Sequence, residues 1–401
     1  MGNTDSRAKF QQCLARLADP AQELSLAEEA VMDQLCQDHV SSVTDVFTLL
    51  QPQDIRRLKD SAPGNLRALC VKVSMETTQS QSQPSLTSPL SPLQMVEKLS
   101  RAVESSCRTS QDQQTVLNSS RLLTRIIPFI FEDPDWTGFF WSESGGESGG
   151  ELAHRLLSAV SDLLFCPDFT VSSSRSRSRE EVDELNNIDS CEYIWEVGVG
   201  CAHTTGQVTQ HHHNRADLLR LLLVCFSESI YWEAGEGRAA WLSVFTSHHN
   251  RHTLPLFTSL LNTVCGYQPA GILPYNHLLW ADSKEKLVEL ALQVLIVTLD
   301  DHKQERRDDV ASDNLFLNYL SRIHREEDFQ FILSGITRLL MNPLTQTYLP
   351  GSQKKVHFHQ ELLILFWKLC EHNKKFLYHV LKSGEVREIM MGEGNKQPPL
   401  C

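Results

Sequence analysis

Six residues at the start of the chain carry the most sharply defined chemistry in the sequence. Met1-Gly2-Asn3-Thr4-Asp5-Ser6 fits the N-myristoylation pattern M-G-x-x-x-[ST]. Removal of Met1 exposes the α-amine of Gly2, and Ser6 places a hydroxyl where the transferase prefers one. Only glycine, which has no side chain, is accepted as the acyl acceptor. Nothing hydrophobic precedes the pattern, which argues against a secretory signal peptide. One myristoyl chain binds membranes marginally and reversibly, with an association constant of about 10⁴ M⁻¹, so firm attachment needs a second signal. Arg7, Lys9 and Arg16 are basic, but Asp5 and Asp19 dilute them. Cys13 is a candidate for palmitoylation, although a buried thiol is the favoured reading. Attachment is therefore expected to depend on a partner already at the membrane.

Other chemical patterns lack the context their chemistry requires. Residues 146–150, GESGG, match the G-x-S-x-G elbow that presents a nucleophilic serine. That elbow needs a strand running in and a helix leaving, whereas Ser148 lies in a Gly/Ser/Glu linker. His211, His212 and His213, with His203 upstream, could bind a divalent ion. Adjacent side chains diverge, however, and a polar loop is the preferred reading. His248, His249 and His252, and His357 with His359, meet the same objection. No H-E-x-x-H, phosphate-binding loop or dinucleotide fingerprint occurs, and no C-x-x-C pair suggests structural zinc. No catalytic, cofactor or metal residue is assigned, and the chain is expected not to be an enzyme.

Composition narrows the classes further. The net charge of -13 argues against nucleic acid, which requires a basic face, and against a broad grip on anionic lipid. Eleven cysteines without a signal peptide point to a reducing compartment and unpaired thiols. No apolar run approaches the roughly 18 residues that span a bilayer. The best stretches, 218–226 and 362–369, are half that length and contain Arg220 and Lys368.

Helices must position whatever this chain presents. Apolar residues recur at three- and four-residue spacing in 116–131, 152–165, 218–230, 254–264, 287–299, 329–340 and 362–369. Asn314 before Leu315, and Ser283 before Lys284, read as N-caps. Pro128 is expected to kink or break its helix. Residues 287–297 are apolar round most of the helix, which implies burial between neighbours. Residues 359–386 read as two helices interrupted at 371–373, with Gly384 as a C-cap. The expected fold is all-α, an irregular armadillo/HEAT-like helical solenoid with disordered loops, with a globular bundle as the alternative. Its expected parts are an acylation segment (1–10), an N-terminal helical region (11–76), a disordered linker (77–92) and a helical-repeat scaffold (93–386). Disordered insertions fall near 142–151 and 172–184, the second with serines as candidate phosphosites. Residues 387–401 form a divergent polar tail.

Several stretches carry a family resemblance. They are 120–136 (SRLLTRIIPFIFEDPDW), 138–141 (GFFW), 163–171 (LLFCPDFTV), 189–196 (DSCEYIWE), 254–265 (LPLFTSLLNTVC), 319–331 (YLSRIHREEDFQF) and 358–362 (FHQEL). Together they closely resemble the high-temperature-induced dauer formation protein family, which is related to dymeclin, over residues 1–386. The resemblance implies a peripheral protein of the Golgi and trans-Golgi network, held to the membrane through its acyl chain. It further implies a scaffold in secretory-granule (dense-core vesicle) biogenesis and cargo sorting, working with an unidentified Golgi or vesicle protein and with no nucleic acid. Of the family's functional residues only Gly2 carries over. Family members are roughly twice as long, so the chain looks like a C-terminally truncated member whose end is expected to leave an apolar face uncovered. The alternative reading is an armadillo-type signalling adaptor anchored to another membrane by myristoylation. A hydrolase built on 146–150 ranks third.

Overall fold

The computed structural model describes residues 12, 14, 15, 18, 43–70, 95–136, 138–141, 151–172, 194–201, 208–231, 240–269, 282–300, 314–342 and 354–383. Gly2, Cys13, Ser148, His203 and Gly384 lie outside the described residues, as do 77–92, 142–150, 173–184 and 387–401. Among the described residues the fold is all-α, with extended pairing limited to isolated bridges such as Gly198 with Cys201. The chain divides into two compact units, Met1–Thr170 with Arg220–Arg238, and Val171–Leu219 with Ala239–Cys401.

In the first unit, α1 (Val43–Leu49), α2 (Pro52–Ser61) and α3 (Pro63–Cys70) precede α4 (Met95–Glu104), α5 (Ser110–Phe131) and α6 (Glu151–Leu163). Helix α5 touches α1, α2 and α4, and α4 also packs on α6. Leu99, Leu123, Ile127, Ala153, Leu156 and Val160 are sealed there. The expected break at Pro128 does not occur, because α5 runs on to Phe131. Pro128 sits in the last turn, where its missing N–H removes a single ladder bond. The helix also starts earlier than its apolar period, at a capping box in which the Asp112 amide donates to Thr109 Oγ1 at 3.0 Å. Arg125 ties α1 down by donating from Nε to the Leu50 carbonyl at 3.0 Å, with its guanidinium 4.4 Å from the centre of the Phe47 ring. Cys107 and Cys166 are both buried in this unit.

Helix α7 (Thr209–Phe226) is cut by the boundary after Leu219. The second unit continues with α8 (Ala240–Thr246), α9 (Thr253–Cys265), α10 (Ser283–Thr298), α11 (Leu315–Arg322), α12 (Glu326–Met341), α13 (His359–His372) and α14 (Lys374–Ser383). Its helices pack both on sequence neighbours (α9 on α10, α12 on α13, α13 on α14) and across intervening helices (α9 on α11 and α12, α10 on α13). Helix α10 lies against both α9 and α13. It buries Leu287, Val288, Leu290, Leu292, Val294 and Leu295, as its broad apolar circumference requires. Its N-cap is Asp282, whose Oδ1 accepts from the Lys284 amide at 2.9 Å, one residue before the expected Ser283. Asn314 caps α11 as expected, accepting from the amides of Phe316 and Leu317. The break between α13 and α14 is Asn373. Its side-chain amide donates to the Leu320 and Ile323 carbonyls, and its Oδ1 accepts from the Phe376 amide.

Helices α9 and α12 meet where Gly335 faces the C-terminal turn of α9. A Cβ there would overlap the Cys265 carbonyl oxygen and lie 2.8 Å from Cys265 Cα. Arg338, one turn on, donates from Nη2 to the Cys265 and Tyr267 carbonyls at 2.7 and 3.0 Å, satisfying a helix end that has spent its own amides. Gly335→Ala must therefore push two helices apart. The expected loss is about 1–3 kcal/mol, read as a lowered urea midpoint with circular dichroism still helical.

Candidate functional site

A group of buried polar side chains in the second unit surrounds the loop 194–201. An irregular loop brings backbone amides and carbonyls that a helix would have paired internally, and buried ones must find partners. Helix α9 supplies them from the middle of an apolar run. Asn262, fully buried, donates from Nδ2 to the carbonyls of Glu196 (3.0 Å) and Val199 (3.1 Å), while its Oδ1 accepts from the Val199 amide at 2.9 Å. Ser259 Oγ accepts from the Trp195 amide at 3.2 Å. Gly198 has φ +154°, and a Cβ on it would sit 2.6 Å from Asn262 Oδ1. Glycine is therefore required where the loop turns across α9.

Charged side chains close the rest of the loop. Glu196 Oε1 meets Lys284 Nζ at 2.7 Å. Arg215, on α7, lays its guanidinium 4.8 Å from the centre of the Trp195 ring. Burial lowers the Arg215 pKa to about 9 against the opposing pull of Glu196, and its Nε has no hydrogen-bond partner. A second cluster forms at the start of α10. Asp282 Oδ2 accepts from Tyr267 Oη at 2.6 Å and lies 3.5 Å from Lys354 Nζ, which also pairs with Glu285 at 2.5 Å. The three carboxylates Glu196, Asp282 and Glu285 thus stand against Arg215, Lys284 and Lys354. Formal charge cancels, as burial demands.

His212 sits inside this arrangement. Its Nδ1 is 3.5 Å from Ser283 Oγ, an outline of a base beside a hydroxyl. Burial, then the charges of Arg215 and Lys284 and the neighbouring His211 and His213, push its pKa down to about 4. A base that weak gives little driving force for removing a serine proton near neutrality. None of these charges is a carboxylate holding the imidazole, the third member that activated nucleophiles use. The geometry serves to hold the loop to α7, α9 and α10.

The sequence-derived candidates are placed as follows. Gly2 and Cys13 are outside the described residues. His211, His212 and His213 lie in the first turn of α7, with His211 and His212 buried, which corrects the expectation of a polar loop. The helix starts nine residues before its apolar period; in this first stretch His212 faces the charged cluster, whereas His213 is exposed. His248 and His249 lie between α8 and α9, and His252 is the residue before α9. His357 and His359 fall at the start of α13. Among the described residues, no three His, Cys, Asp or Glu side chains are grouped to hold a metal ion. Nor is any helix there long and apolar enough to cross a membrane. Sequence reasoning missed Arg215, Glu196, Lys284 and Asn262. The available signal was Ser259 and Asn262, three residues apart and so on one face of a helix whose other residues in 254–265 are largely apolar.

The fold and its charge-balanced loop define an all-α protein of packed helices. Over residues 1–392 the chain matches the family model described as "High-temperature-induced dauer-formation protein", and it belongs to that family. It is 48% identical to Protein HID1 of Homo sapiens, over 98% of this chain and 51% of that protein. Identity to Protein HID1 of Mus musculus is 47% with the same coverage. The Ubp5-interacting protein ftp105 of Schizosaccharomyces pombe is 28% identical over 60% of this chain and 26% of its own length. The chain spans about half the length of the Homo sapiens and Mus musculus relatives. No solved structure matches it.

Two outcomes test the site. Asn262→Ala strands one amide and two carbonyls in the interior, so we expect a loss of about 2–4 kcal/mol, measured by urea denaturation. Acidification acts through His212. An unfolded histidine titrates near 6.5 and the folded one near 4, so the unfolded chain takes up the extra proton between those values. His212's contribution is intact above pH 6.5 and is lost as pH falls to 4, by about 3 kcal/mol at most. His212→Gln should flatten this part of the stability–pH curve.

Proposed function

We propose that this protein is a non-catalytic peripheral membrane scaffold at the cytosolic face of the Golgi and trans-Golgi network. In this reading it supports secretory-granule (dense-core vesicle) biogenesis and cargo sorting. The observation that carries the membrane part is the Met1–Ser6 acylation pattern. No described helix is long and apolar enough to cross a bilayer, and an acyl chain at Gly2 is the attachment this reading uses. Family membership supports the trafficking role. The scaffold role draws on the helical packing and on polar clusters engaged in holding loops. One relative is named for an interaction with another protein, which is in keeping with a scaffold role for this chain. A single myristoyl group supplies reversible attachment only. A protein already on the Golgi or vesicle membrane therefore provides the second contact, and a cytosolic pool coexists with the bound one.

The test compares wild type with Gly2→Ala, imaged beside a trans-Golgi marker and fractionated. We expect the variant to move from membranes to cytosol, because the substitution removes the acyl acceptor. Equal membrane recovery of both forms would overturn the acylation. Plasma-membrane rather than Golgi localisation of the wild type would favour a signalling adaptor.

A further inference from the structure

Two buried thiols of the first unit meet, although they are far apart in sequence. Cys107 lies just past the end of α4 and Cys166 just past the end of α6, and these two helices pack on each other. The Cys107 thiol donates a hydrogen bond to the Cys166 sulfur. Cys107 is fully sealed, whereas Cys166 keeps 6% exposure. Both backbones are pinned. Gln113 Nε2 donates to the Cys107 carbonyl at 3.1 Å, and Thr170 Oγ1 donates to the Cys166 carbonyl at 3.2 Å. Among the described residues, the non-glycine positions with left-handed backbone are Ser106 (φ 55°), Cys107 (φ 48°) and Asp168 (φ 59°). All three fall on the two turns that carry these sulfurs. Such backbone is costly without glycine, and it persists where the surroundings over-determine it, often at functional sites.

We propose that Cys107 and Cys166 form a redox-responsive pair, which a peroxide converts to a disulfide joining the ends of α4 and α6. Cys166 is the sulfur that attacks and Cys107 the one that resolves. The hydrogen bond from Cys107 outweighs burial and the Asp168 carboxylate, holding the Cys166 thiol below its ordinary range. Donating that bond, with burial, keeps the proton on Cys107. A thiolate is the nucleophile toward peroxide, and hydrogen peroxide is small enough to reach a sulfur that is only slightly exposed. In the first step the Cys166 thiolate attacks one peroxide oxygen. The S–O bond forms, the O–O bond breaks, and the hydroxide released takes up a proton to leave as water. In the second step Cys107 gives up its proton and its sulfur displaces the hydroxyl from Cys166. The S–S bond forms, the S–O bond breaks, and a second water leaves. Two thiols thereby pass two electrons to one peroxide. A cellular thiol such as glutathione reverses the change by exchange, as is usual for transient disulfides in a reducing compartment.

The experiment treats the reduced, folded 401-residue chain with hydrogen peroxide, blocks free thiols after denaturation, and maps tryptic peptides without reductant. Cys107 falls in peptide 102–108 and Cys166 in peptide 156–175, each with a single cysteine. We expect these two peptides to appear joined and to separate with dithiothreitol, while the fully buried Cys225 and Cys265 stay reduced. A chain unfolded in urea before oxidation should lose this selectivity. Dimedone, which captures sulfenic acid, reads the order of attack. It should label Cys166 in Cys107→Ser, where the serine hydroxyl still donates to Cys166, and leave Cys107 unlabelled in Cys166→Ser. A folded wild-type chain whose two peptides stay unlinked overturns the proposal, as does equal oxidation of Cys225 and Cys265. Dimedone on Cys107 but not Cys166 overturns the assigned roles. The mapping of wild type needs no variant, so a misfolded substitution leaves the test intact.

Discussion

Helix α9 must be polar where it is most deeply buried, and the second unit is arranged around that requirement. The loop 194–201 lies across α9 with amides and carbonyls that no helix or sheet can pair. Asn262 and Ser259, both at 0% exposure, answer four of them. Each such group left unpaired would cost on the order of 1–3 kcal/mol, comparable with a large part of a domain's net stability. The same helix must also accept close contact with α12, which Gly335 permits and Arg338 secures through the Cys265 carbonyl. Loop, helix and crossing therefore stand or fall together.

Charge follows from the same geometry. Once Trp195 is fixed, its ring offers a face on which Arg215 stacks. The carboxylate of Glu196, one residue further, then lies within reach of Lys284. Buried ion pairs add little net stability over apolar packing, but removing one partner leaves a charge that the interior cannot solvate. The cluster thus specifies one placement of the loop more than it strengthens the fold. A neutral His212 completes it, since a fourth cation would upset the balance of three against three.

Much of the helical framework was legible in the sequence. Spacing located α9, α10, α12 and α13, and the two-sided apolarity of 287–297 announced a helix with neighbours on both sides. Capping chemistry was readable at Asn314, and missed by one residue at α10 because Asp282 and Ser283 are both good caps. The failures share a cause. The start of α7 was invisible because His211 and His212 are buried by tertiary contacts, and polarity at a helix start reads as a loop. Pro128 was over-weighted because its cost depends on distance from the helix end, which the apolar period does not fix. The charged cluster could not be read at all. Glu196, Arg215, Lys284 and Lys354 are far apart in sequence, and only folding brings them together. The acylation pattern needed no fold to be recognised, because its chemistry is local to six residues.

The sulfurs set a condition on recovery from damage. Cys107, Cys166, Cys201, Cys225 and Cys265 are all buried as free thiols. Burial pushes the pKa of Cys265 up to about 12, so while the fold holds that thiol is a poor nucleophile. Unfolding of the unit that holds a thiol releases it with ordinary reactivity. In a medium that keeps thiols reduced, the chain can return to its starting state. Where an oxidant is present, newly exposed thiolates would pair at random and turn a reversible opening into a permanent one. Reversibility thus belongs to the protein and its surroundings jointly.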